Sequence, residues 1–251
     1  MPPALPIMVV MAGAAIALWG GHRARPRETT PLSLLSLGLW GLGFALLLAG
    51  LGLEFRHQAL PDQAATAYAA SLSLLAGHAA GLLLLWLSPG RPRTAALGLA
   101  LALGLPPFGA FAGLWLGLQA VQAAFLLLPA WPTLALASGT LVGLAGWVWA
   151  WQGGLQFVRT DAPTSRGGWL RTLVIALGVL ASFLPWLWVL PAQVLAAELT
   201  GELPMLLIAL GMLLTPVIPG QASVIPFGLM AIAMAVTSVL LLVLRLTRRP
   251  R

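Results

Sequence analysis

Apolar residues run along this chain in long, unbroken blocks rather than in the strict alternation of a half-buried strand. With charge clusters and Pro/Gly pairs as punctuation, apolar segments fall at about 4 to 20, 31 to 53, 64 to 88, 94 to 105, 108 to 128, 132 to 157, 169 to 190, 203 to 219 and 222 to 246. Most reach the length of about 18 residues or more that crosses about 30 Å of hydrocarbon. Lipid offers no hydrogen-bond partner to an exposed backbone, and the runs lack the dyad pattern of a membrane barrel, so each segment is predicted to be helical. The expected fold is all-α: a polytopic membrane helix bundle of about 8–9 transmembrane segments, forming a single membrane domain over residues 1–251.

Composition reinforces this. The chain is 60% hydrophobic and 8% charged, with a mean hydropathy of +0.96, too few charges to build a water-exposed surface. Its formal net charge is +7, and all 13 basic residues are arginine. They cluster in short connections (23 to 27, 91 to 93, 159 to 171) and at the end of the chain, as expected for span ends on the negative side of a membrane. No solvated basic domain is present to bind nucleic acid. Without cysteine there are no disulfides, thiolate iron-sulfur clusters or Cys-zinc sites, and neither cofactor nor metal is expected. Residues 4 to 20 lack the basic n-region of a signal peptide and read as a first span with a cytoplasmic flank.

The stretch 94 to 128 would be about 50 Å long as one helix, and Pro106 and Pro107 break it. If the basic connections are all cytoplasmic, an even number of crossings must lie between residues 93 and 159, whereas spans at 94–105, 108–128 and 132–157 make three. Small residues at Gly38, Gly41 and Gly43, and at Gly113 and Gly117, predict close helix packing within the chain or against partner subunits. The eleven tryptophans, including Trp147, Trp149, Trp151, Trp186 and Trp188, are expected to form an interfacial belt.

Candidate chemistry centres on Leu103 to Trp115, LGLPPFGAFAGLW, where a Pro-Pro pair flanked by glycines predicts a discontinuous membrane helix. This stretch resembles the G-[IL]-P-P-x-x-G-F-x-G-K signature of the antiporter-like subunits shared by respiratory complex I (its N, M and L type subunits), multi-subunit cation/proton antiporters and membrane-bound hydrogenases. Gly104, Leu105, Pro106, Pro107, Phe111 and Gly113 match. Upstream, His78 matches the family's H-[AG]-x-x-K helix, and Arg27, Glu28, Ser33, Ser36 and Gly38 stand loosely where the family has [DN]-[LI]-K-R-x-x-A-Y-S-S. The resemblance covers about residues 10 to 190 and corresponds to the family's second repeat, so the chain reads as truncated relative to full-length members. Residues 200 to 251, read as two additional helices, have no counterpart in it.

The resemblance implies a subunit among other membrane subunits in the bilayer of a bacterial cytoplasmic membrane, within a complex like NADH-quinone oxidoreductase or a hydrogenase. The family's proton wire depends on lysines, and at the two matching positions this chain has Leu82 and Leu114. A complete wire is therefore not expected, and the role implied is structural or a partial proton path with His78, Arg27 and Glu28 as its candidates. For His78 two readings stand: a proton-relay remnant, or a neutral imidazole bonded to a carbonyl or to a hydroxyl of Ser71, Ser73, Ser33 or Ser36. Glu54, Arg56, His57 and Asp62 read as a solvated connection, and Glu198 and Glu202 as a polar loop. No hydrolase, zinc-protease, P-loop or dinucleotide signature is present, so no catalytic residues are expected. Two alternatives remain: a self-sufficient secondary transporter using the break at Pro106 and Pro107 as its substrate site, and a scaffold or pigment-binding protein with His78 as ligand to a metal-centred macrocycle.

Overall fold

The computed structural model describes residues 4–24, 34–88, 92–105 and 109–159, with single positions at 173, 192, 194–196 and 199. All secondary structure among these is helical: α1 (Leu5–Ala24), α2 (Leu34–His57), α3 (Pro61–Trp86), α4 (Pro92–Leu103), α5 (Gly109–Leu127) and α6 (Ala130–Arg159). These match the first six predicted segments. Apart from Leu173, the segments at 169–190, 203–219 and 222–246 lie outside the described residues. Five helices are long and apolar enough to cross a membrane, and α4 is the short exception. The chain is a multi-pass membrane protein, all-helical over the described residues.

Local chemistry sets the helix ends. Arg56 and His57 occupy the last turn of α2, and Asp62 the first turn of α3, each on the side that its helix dipole favours. Pro61 opens α3 where no donor is needed. Between them Ala59 takes a left-handed conformation (φ 57°), and Leu60 N–H returns to Phe55 O at 2.9 Å, closing the α2 carbonyl end.

The helices cross through glycines. A side chain at Gly13 would fall 2.7 Å from Gly43 O, and one at Gly50 would meet Val10, so α1 and α2 run antiparallel in close contact. Gly146 of α6 lies against Ala17 and Gly21, and Gly139 against Val10 and Ala14, which makes α6 parallel to α1. Gly113 and Gly117 pack on Leu74 and Leu48, and a side chain at Gly38 would stand 3.6 Å from Leu82. The predicted packing glycines are thus used inside the chain.

On α3, Gly81 meets Ala102 and Gly98 of α4 meets Leu85, so α4 runs antiparallel to α3; farther along α3, Leu74 meets Gly113 of α5. Leu99 of α4 packs on Gly154 of α6. One end of the bundle therefore gathers the starts of α1, α3 and α6 and the ends of α2 and α5. The other gathers the ends of α1, α3 and α6 and the starts of α2 and α4.

Two expectations are corrected. Glu54 is not in a solvated connection: it lies in α2, 3% exposed, because the helix continues to His57 and turns its face inward there. Arg56, His57 and Asp62 are exposed, as expected. Nor do all the tryptophans form a belt. Trp40 is fully buried, donating to Gly143 O at 3.3 Å, whereas Trp19 and Trp86 are exposed near the ends of α1 and α3, with the Arg23 guanidinium 5.1 Å over the Trp19 ring.

Candidate functional site: the fastened end of α4

A helix leaves its last carbonyls without intrahelical partners, and within an apolar bundle each must find a donor. At the end of α4, Gly104 adopts φ 71° and lets Leu105 N–H reach back to Ala100 O at 2.9 Å. Two neighbouring helices serve the next carbonyls. His78 of α3 places Nδ1 2.7 Å from Ala102 O, and Trp147 of α6 donates its indole N–H to Leu103 O at 2.7 Å. The other ring nitrogen of His78, Nε2, stands 3.0 Å from Leu37 O of α2.

The imidazole thus bridges α2 and α4. A neutral ring carries one N–H and satisfies only one of the two oxygens; only the imidazolium donates to both. His78 is 3% exposed, with Trp40 edge-on to it at 5.6 Å between ring centres. Gly41 makes room for it: a side chain there would occupy the space of the His78 ring. The partners are carbonyls, as one of the two sequence readings had it. The serines go elsewhere: Ser71 donates to Ala45 O at 2.8 Å, and Ser73 Oγ has no partner among the described residues.

The positions where the resembling family carries lysine stand beside this junction. Leu82 is one turn beyond His78, facing Gly38, and Leu114 of α5 rests against Gly104. Leu114, Gly104, Leu105, Phe111 and Trp147 also line a cavity of about 260 Å³ between α5 and α6. Gly104, Phe111 and Leu114 are therefore neighbours, Gly104 stands two residues after Ala102, which His78 contacts, and Gly113 fixes α5 to α3. Arg27, Glu28, Pro106 and Pro107 lie outside the described residues.

Sequence reasoning missed two contributors to this junction, and a buried carboxylate away from it. Gly41 carried a signal, being a small residue on a span, but nothing in the sequence pairs it with His78. Trp147 was absorbed into the expected belt. Glu54 accepts a bond from Gln58 Nε2 at 3.0 Å through one oxygen, and its other oxygen has no partner among the described residues.

If Trp147 secures the α4 end, Trp147→Phe keeps an aromatic side chain but loses the indole donor and part of the ring volume. The expected cost is about 1–3 kcal/mol, seen as a lower melting temperature in detergent. An unchanged melting temperature would show that Leu103 O does not depend on this bond.

Fold and site define a multi-pass helical membrane protein in which an intramembrane histidine and an indole cap a helix end. No protein-family model, no curated protein and no solved structure matches the chain.

Proposed function

We propose that this chain is a non-conducting, antiporter-like subunit of a redox-linked ion-translocating complex in a bacterial cytoplasmic membrane, with a mainly structural role. The observation that carries this reading is the closed end of α4. Where an ion-conducting broken helix leaves backbone groups open to its cargo, Ala102 O and Leu103 O are bound by His78 and Trp147. The neighbouring family-lysine positions, Leu82 and Leu114, hold no charge. The order of motifs along the chain supports the family frame.

In this reading α4 and α5 are the two halves of one discontinuous crossing, broken at Pro106 and Pro107. With 12 and 19 residues they extend about 18 and 28 Å, and both lie along α3 in the same direction. Counting them once leaves two crossings between residues 93 and 159, which removes the conflict with the arginine-rich connections. The connections with Arg25, Arg27 and Arg91 then share the cytoplasmic side. Because the packing glycines are used internally, partner subunits would meet outer faces such as Leu126, Leu134 and Leu141, which are exposed.

The other two readings receive less support. A stand-alone transporter needs open backbone groups at the break. A macrocycle ligand needs a free imidazole nitrogen, and both nitrogens of His78 face carbonyl oxygens. Affinity purification of the natively expressed chain in mild detergent tests the proposal. It should run on a native gel with other membrane subunits, well above the mass of the 26.2 kDa chain. A chain that migrates alone would refute it.

A further inference from the structure

The cavity beside the end of α4 has a role that the subunit reading does not assign. It lies between α5 and α6, walled by Phe44 and Leu48 of α2, by Leu114 and Val121 of α5, and by Leu144 and Trp147 of α6. Gly104 also lines it, with the Leu114 side chain packed where a side chain at 104 would stand.

Three observations define the occupant. First, the described lining residues turn almost no polar surface to the space: Thr140, the one hydroxyl among them, donates to Leu136 O at 2.8 Å, the Trp147 N–H is held by Leu103 O, and the Trp115 N–H, which has no partner among the described residues, is itself fully buried. A quinone or other ligand with a polar head would lose its hydrogen bonds on entering. Water is excluded as well, since apolar cavities of this kind stay dry.

Second, at about 260 Å³ the space is smaller than the roughly 300–1,000 Å³ of sites that enclose a drug-sized ring system, and suits a slender chain. Third, the cavity is continuous with the outer surface of the bundle: Leu118 and Leu144 line it and are also 50% and 38% exposed. The mouth residues Leu118 of α5 and Leu144 of α6 lie well inside their spans, so the mouth opens on bilayer hydrocarbon, where acyl chains are the medium.

We propose that this cavity is a lipid site that takes one fatty-acyl chain of a membrane phospholipid, entering between α5 and α6 and packing over Gly104 and the Trp147 ring. The chain completes the apolar wall around the capped end of α4. The depth of the site rests on the reading of α4 and α5 as one crossing, which cysteine labelling checks separately.

The test uses the full chain in vesicles of phosphatidylcholine carrying a photoactivatable diazirine near the end of one acyl chain, with adducts mapped by mass spectrometry. Adducts should concentrate on Phe111, Leu114, Leu118 and Leu144 relative to the exposed Leu126 and Leu134. Thr140→Phe, which fills the cavity from α6, should abolish the first group and leave the second. Should that variant not fold, Leu144→Trp at the mouth serves the same purpose. Cavity adducts no denser than those on the outer face, or unchanged in the folded variant, would overturn the proposal. So would cross-links from a photo-leucine at position 118 to residues beyond 160, because a segment of the chain itself would then fill the space.

Discussion

His78→Ala should destabilise the protein by about 2–3 kcal/mol, because it removes the one interhelical hydrogen bond that a neutral ring donates, worth about 1–2 kcal/mol, and leaves a void beside it. Ala102 O bears most of the loss. It belongs to the last turn of α4, where the helix supplies no partner of its own. Gly41→Ala should be nearly as damaging in the wild-type background, since the new methyl group would occupy the space of the imidazole. Combined, the two changes should be strongly non-additive: once the ring is gone, alanine at position 41 has space and a better helix propensity than glycine. Melting temperatures of the four proteins in one detergent measure the cycle. Additive losses would mean that Gly41 and His78 do not act on each other.

Gly43→Val should cost about 3 kcal/mol or more and prevent the protein from accumulating in membranes, the largest effect expected of any single change here. Its Cβ would land on the backbone of Ala17, which cannot swing aside as a flexible side chain can, so α1 and α2 would have to separate. Gly38→Ala is the control on the same helix. Its nearest neighbour is the Leu82 side chain at 3.6 Å, an ordinary contact, and expression should be unchanged. Equal accumulation of both variants, measured by fluorescence-detected gel filtration, would show that α1 and α2 are not in the close contact described.

The six described helices were legible because each is written as an apolar run ended by charge, proline or glycine. The conflict over crossings arose because hydropathy counts segments, whereas whether 94–105 and 108–128 cross separately depends on what they pack against. Gly81 and Gly113, which seat α4 and α5 successively on α3, carry that information only in three dimensions. The importance of His78 was readable from an imidazole inside an apolar span. Its partners were not, because main-chain oxygens such as Ala102 O and Leu37 O exist at every position and leave no mark in a sequence. Glu54 was misread for a related reason: a carboxylate beside Arg56 and His57 resembles a loop, and only the inward face of the last turn of α2 reveals its burial.

The depth of the site and the side on which the arginines lie both depend on α4 and α5 making one crossing. Cysteine labelling tests this directly, because the natural chain contains no cysteine. Single cysteines at Gln58, Pro129, Arg91 and Thr160 would be challenged with a membrane-impermeant maleimide in right-side-out and inverted vesicles. The expected result is that Gln58 and Pro129 react from the outer side, and Arg91 and Thr160 from the cytoplasmic side. Labelling of Pro129 from the same side as Arg91 would contradict the account, because α4 and α5 would then re-enter or cross separately.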